Sequence, residues 1–258
     1  MNKAAVLEYL NATKGVEGWF FPIDAFLFAM ADEVQKREGI RGNLFEIGVH
    51  HGKTALFLSR MSEPGELLGV CDVFEQQELN RDRSGEGSRE LFLRSMRECG
   101  GRDDVRVFAK LSSALTPEET TTQCRFVHID GGHRPEDVIN DLHVADRALL
   151  PDGVVAVDDV FNPSWPGVSE GFYEFLRGGA FVPVVIGGNK VLLTRPAAAE
   201  RYERHWQDLD EWRNFIAPQP FSFEWKGWMG RPVLTAARQT WVDLDPAGAA
   251  RRHLGEPQ

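Results

Sequence analysis

Five short and almost continuously apolar runs punctuate the middle of the chain. They are NLFEIG (43–48), ELLGVCD (66–72), VRVFA (105–109), CRFVHID (124–130) and GVVAVDD (153–159). Runs this short and this apolar suit strands buried on both faces, as in a parallel sheet covered by helices. The stretches between them at 52–62, 88–99 and 134–149 are long enough for crossover helices. The last places Val138, Leu142, Ala145 and Leu149 on one helical stripe, and Pro151 and Gly153 then break the chain. A helix is also expected over 23–38, ending near Gly39, and another over EGFYEFLRG (170–178) after the loop FNPSWPGVS. FVPVVIGGNKVLLTR (181–195) reads as an antiparallel hairpin around Gly-Gly-Asn. ERYERHWQDLDEWRNF (200–215) predicts helix, while PFSFEWKGWMGRPVLTAA (220–237) has no decisive period. The expectation is seven strands in one α/β domain over 43–195. A helical extension at 1–42 precedes it, and an extension at 196–258 follows, shaping an acceptor pocket or an oligomer contact.

Charge narrows the partners. The 258 residues carry a formal net charge of −10 without a Lys/Arg cluster, so a phosphate-backbone surface is not expected and nucleic acid is excluded as a partner. Cys71, Cys99 and Cys124 are odd in number and widely spaced, which fits a reducing cytoplasm better than a disulfide framework. The start lacks the apolar core of a signal peptide, and no run approaches the ~18 apolar residues of a membrane span. A protein of the cytoplasm with no membrane partner is expected.

Chemistry concentrates at the ends of the expected strands. In FEIGVHHGKTALFLSR (45–60), Gly48 and Gly52 allow a sharp strand-to-helix turn and close approach of a ligand, with Glu46 at the strand end. The spacing is not the G-x-G-x-x-G of a dinucleotide fold, nor the G-x-x-x-x-G-K-[ST] of a phosphate loop. Asp72 ends the second strand, where an acid can accept from ribose hydroxyls or simply cap a helix. Asp130 ends the fourth strand, and Asp158 and Asp159 end the fifth. Three carboxylates on one rim repel unless a cation or a bound proton offsets them, and a hard divalent ion such as Mg²⁺ would do so. His133, three residues after Asp130, can face the same rim and accept a proton from a hydroxyl; capping the next helix is the alternative.

These motifs resemble class I S-adenosylmethionine-dependent methyltransferases. FEIGVHHGKTALFLS is similar to their first motif and GVCD to their acidic second-strand motif. HIDGGH followed by VDD resembles the metal-dependent macrocin- and mycinamicin-type sugar O-methyltransferases. The resemblance implies a Rossmann-like, doubly wound, mostly parallel sheet and a role in natural-product (antibiotic) biosynthesis. It implies that Glu46, Gly48, Gly52, Asp72 and Asp130 bind S-adenosylmethionine, with Ser112 as an adenine contact. Asp130, Asp158 and Asp159 would hold Mg²⁺, and His133 would be the base for a small-molecule acceptor. The macrolide enzymes carry Glu-Asp where this chain has Asp158-Asp159. AKLSSAL places Leu111 before Ser112, where such enzymes often have an acid. N-methylation of an amino sugar, metal-independent transfer and a non-catalytic donor-binding partner are the alternatives, and the aromatic ends suit a homo-oligomer.

Overall fold

The computed structural model describes residues 1–120, 123–216 and 221–238. Nine strands form one sheet in the order β3-β2-β1-β4-β5-β7-β6-β9-β8. β1 (Asn43–Ile47), β2 (Leu68–Asp72), β3 (Arg106–Ala109), β4 (Cys124–Ile129) and β5 (Leu149–Val157) run parallel. β6 (Val182–Gly187) and β7 (Lys190–Thr194) form the expected hairpin, and β7 pairs antiparallel with β5. The helices are α1 (Lys3–Ala12), α2 (Pro22–Arg37), α3 (Lys53–Met61), α4 (Arg89–Glu98), α5 (Pro135–Ala148), α6 (Pro166–Leu176), α7 (Ala199–His205) and α8 (Asp210–Ile216).

Each central strand feeds two apolar layers because its side chains alternate between faces. Leu44, Val70, Phe126, Val154 and Ala156 pack on one side with α1, α2 and α3. Phe45, Ile47, Val127, Ile129, Val155 and Val157 pack on the other with α5 and α6. That two-sided burial is what made these strands read as unbroken apolar runs.

Three features differ from the sequence expectation. The sheet has two strands beyond the expected seven: β8 (Phe221–Trp228) and β9 (Arg231–Arg238), with β9 parallel to β6. Burial along β8 is mixed, as on a half-covered edge strand, so its sequence carries no clean period. The extension is therefore helices followed by a hairpin; its residues 239–258 lie outside the described ones. The single helix expected over 200–215 is two, parted where Trp206 and Leu209 turn into the core. Around Pro151, β5 keeps its strand but shifts register between the Cys124↔Leu149 and Phe126↔Val154 pairs. A proline with no N–H is accommodated by a bulge. Among the described residues, no helix is long and apolar enough to cross a membrane.

α2 is buried along most of its length, and Arg125 of β4 ties it to the sheet. The fully buried guanidinium donates to Asp32 Oδ1 at 2.8 Å and Gln35 Oε1 at 2.6 Å on α2. It also donates to both carboxylate oxygens of Glu66, at 3.0 and 3.1 Å, and to the Met61 carbonyl at 2.8 Å. Removing the cation takes from buried Glu66 the guanidinium that pairs with it and leaves buried Asp32 only the Met1 amino group and Lys36. Arg125→Met should therefore lose about 3–5 kcal/mol of stability, read from urea unfolding midpoints.

Candidate active site

The turn from β1 into α3 is shaped by two glycines with different duties. Gly48 has φ +82°, and a Cβ there would lie 1.7 Å from the Asp130 carbonyl oxygen. Only glycine lets the ends of β1 and β4 approach this closely. Gly52, at φ +86°, caps α3, and its missing Cβ makes room for the Phe92 ring, 2.5 Å from the ideal Cβ position. It was expected to border the ligand, but it packs against α4 and does not line the cavity.

A cavity of about 730 Å³ opens beside this turn, at the carboxyl ends of the parallel strands. Glu46, Gly48, Asp72, Ser112, Asp130, His133, Asp158 and Asp159 all border it. Asp72 accepts from the backbone N–H of Val49 at 2.6 Å, His50 at 2.9 Å and Phe74 at 2.6 Å. It therefore braces the glycine turn as well as facing the ligand space. Buried Glu46 shares a proton with His128 Nδ1 across 3.0 Å. Burial raises the Glu46 carboxyl well above its usual range, reinforced by Asp130 and Asp72, and drives His128 well below its own. The pair is thus an uncharged hydrogen bond, and among the described residues Glu46 Oε2 has no hydrogen-bond partner. Ser112, in a short 3-10 helix after β3, accepts from Asn140 Nδ2 at 3.2 Å.

The opposite wall gathers the remaining expected residues with several that the sequence did not reveal. His133 Nε2 lies 3.2 Å from Asp159 Oδ2, and its Nδ1 lies 3.0 Å from Asp82 Oδ2. The ring stacks on Trp165, with centroids 4.2 Å apart. Burial opposes charge on this imidazole, but Asp159, Asp82 and Asp130 outweigh it and lift its pKa to about 9. Asp159 holds a left-handed backbone (φ +58°), and its Oδ1 accepts from Asn162 at 2.8 Å and Asn189 at 3.2 Å. Asp158 Oδ2 is ion-paired to the buried Lys190 ammonium, and its Oδ1 accepts from the Asp159 amide at 2.8 Å. Asp24 of α2 lies 3.9 Å from the same ammonium. Asp82 sits in the polar segment QQELNRDRSGEGS (76–88), where no spacing marks one acid above its neighbours. Lys190 looked like an ordinary strand residue following a turn.

The residues do not fit the divalent ion that the sequence suggested. Asp158 already holds an ammonium on one oxygen and an amide on the other. A dication sharing that carboxylate would sit ~4 Å from Lys190, a repulsion on the order of 8 kcal/mol for the remaining carboxylates to offset. One ligand atom each from Asp130, His133 and Asp159 lies within 4.8 Å of the others, but there the His133 ring already bridges Asp159 and Asp82. His128, Asp130 and Asp158 form a second such group, and it contains the partner of Lys190.

His133 leaves a signature in stability. A folded pKa raised above 6.5 adds stability that is fully present below pH 6.5 and is lost as pH rises through about 9. The melting-temperature gap between wild type and His133→Gln should therefore be widest below pH 6.5 and shrink towards pH 9.

Residues 45–160 match the family described as "Methyltransferase domain". No curated protein matches the chain in sequence. Among solved structures, the O-methyltransferase NovP superposes with a TM-score of 0.56 at 18% identity, over 67% of this chain and 80% of that one. TomG from Streptomyces achromogenes, an O-methyltransferase solved with the methyl donor, gives 0.50 at 17% identity over 75% and 89%. An O-methyltransferase from Bacillus cereus solved with the demethylated donor gives 0.51 at 16% identity over 74% and 88%. With the family match over the glycine turn and acidic strand ends, and the fold shared with these structures, residues 45–160 form a methyltransferase domain.

Proposed function

We propose that the enzyme methylates a hydroxyl oxygen of a small metabolite, such as a sugar moiety of a natural product. The observation that carries this reading is His133, held at Nδ1 by Asp82 and against Trp165, with Nε2 on the cavity wall. A base fixed by a carboxylate behind it and an aromatic plate beside it is arranged to take a proton from an acceptor O–H. Glu46, Gly48, Asp72 and Ser112 line the part of the cavity at the ends of β1, β2 and β3, which suits the donor. The names of NovP and TomG, both O-methyltransferases, support the oxygen acceptor.

Transfer is an in-line displacement: the acceptor oxygen bonds to the methyl carbon as the sulfur–carbon bond breaks, and S-adenosylhomocysteine leaves. Its rate depends chiefly on positioning. His133 must give up its proton to act as a base, and the acceptor hydroxyl must replace Asp159 at Nε2. The Mg²⁺ suggested by the sequence has no fitted place among these residues, so the reading includes no metal step.

Methyl-labelled donor offered with a panel of hydroxylated sugars, phenols and amino sugars tests the reading, because NMR separates an O-methyl from an N-methyl product. N-methyl products alone would overturn the oxygen assignment. With an accepted substrate, His133→Ala should lower kcat by about 10²–10⁴ while leaving S-adenosylhomocysteine affinity unchanged. In wild type, kcat/KM should climb with pH towards an apparent pKa of about 9, since only the neutral imidazole accepts the proton.

A further inference from the structure

We propose that Lys190 is the resident cation of this active site, occupying the place at the carboxylate rim that a divalent ion would take, so that methyl transfer requires no metal. The inference rests on the methyltransferase reading and concerns how that site balances its charge.

Five carboxyl groups border one side of the cavity: Asp24, Asp82, Asp130, Asp158 and Asp159. Two side chains bridge four of them. His133 spans Asp82 and Asp159, and Lys190 spans Asp158, by direct ion pair, and Asp24, at 3.9 Å. Among the described residues no hydrogen-bond donor reaches the Asp130 side chain, which faces the cavity where the positively charged donor arrives. Asn189, next to Lys190, donates to Asp159 at 3.2 Å, so one tight turn serves both members of the Asp158-Asp159 pair.

The placement of Lys190 is built into the fold. Its side chain is only 2% exposed, and its ammonium lies 5.9 Å from the Phe20 ring centroid. Gly187 and Lys190 pair across the turn between β6 and β7, and the antiparallel pairing of β7 with β5 carries that turn to the end of β5, where Asp158 follows. Asp24 is fixed from the other side, since its Oδ2 accepts from the Phe21 amide at 2.8 Å. A buried ammonium that touches two carboxylates is held there by their charge and its own stem, and the same charge repels a second cation. Lys190 acts here as a positioning residue: it holds Asp158, and with it the rim on which His133 and the acceptor meet.

Manganese binding followed by electron paramagnetic resonance, with S-adenosylhomocysteine binding measured by calorimetry on the same preparations, tests this without knowledge of the acceptor. Wild type should bind Mn²⁺ weakly and without a defined stoichiometry. Lys190→Met should gain Mn²⁺ affinity by about tenfold or more, because the carboxylates lose their cation, while Lys190→Arg should stay as weak as wild type. Tight one-to-one Mn²⁺ binding by wild type, abolished by Asp158→Asn, would overturn the proposal. So would a folded Lys190→Met variant with no gain. If Lys190→Met does not fold, the wild-type titration and its Asp158→Asn control decide alone. A wild type that binds S-adenosylhomocysteine and also binds Mn²⁺ tightly one-to-one loses only the Lys190 proposal; one that binds no S-adenosylhomocysteine loses the methyltransferase reading as well.

Discussion

The pairing of β4 with β1 on one side and β5 on the other sets the terms for everything at the rim. Ile47 pairs with Ile129, and Ile129 with Val157, so the three strands end at one level. Asp130 and Asp158 follow those ends directly. A fold that lines up strand ends this way concentrates carboxylates in a half-buried place, where their mutual repulsion is poorly screened. Each must then find a cation, a donor or a proton. Asp159 takes amide and imidazole donors, Asp158 takes an ammonium, and Glu46 keeps its proton and shares it with His128. Asp130 is left to whatever enters the cavity.

The parallel core was legible because burial on both faces wrote itself into uninterrupted apolar runs. The glycine turn was legible because Gly48 meets a steric demand that no other residue satisfies. The acidic strand ends were legible for the same topological reason: parallel neighbours bring their carboxyl ends to one rim. Asp82 and Lys190 were not. Asp82 is one acid in a polar loop and reaches His133 only through the fold, across 51 positions. Lys190 follows a turn in a hairpin whose pattern shows the pairing but not what the turn approaches. Three carboxylates at adjacent strand ends call for a cation, a demand set by charge, and charge alone does not distinguish a metal from an ammonium.

His133 also gains a different meaning from its neighbours. Read alone, it is a histidine near its ordinary pKa and ready to accept a proton. Bridged between Asp82 and Asp159, it is an imidazolium until about pH 9, and its charge is part of what balances the rim. Asp82 keeps Nδ1 engaged whichever form the ring takes, so in the proposed reaction only the Nε2 side exchanges Asp159 for an acceptor hydroxyl. In the proposed reaction the donor's sulfonium adds positive charge near Asp130, which favours loss of the His133 proton when the acceptor is in place. Charge balance and base strength are therefore one problem at this site.

Half of the solution lies outside residues 45–160, the part that matches the methyltransferase family. Asp24 comes from α2, while Trp165, Asn189 and Lys190 come from the chain after the match ends. Trp19 and Phe21, both largely exposed, border the cavity from the N-terminal side. The wall around His133 is thus built jointly: the matched domain supplies Asp82, Asp130, His133, Asp158 and Asp159, and segments that the match does not reach supply the rest. α2 can serve the site because it is anchored as core: Arg125 locks its Asp32 and Gln35 to the start of β4, the strand whose other end leads into Asp130 on the rim. Loosening that anchor would shift Asp24 relative to Lys190, so the buried arginine on one side of the sheet and the buried lysine at its end belong to the same mechanical chain.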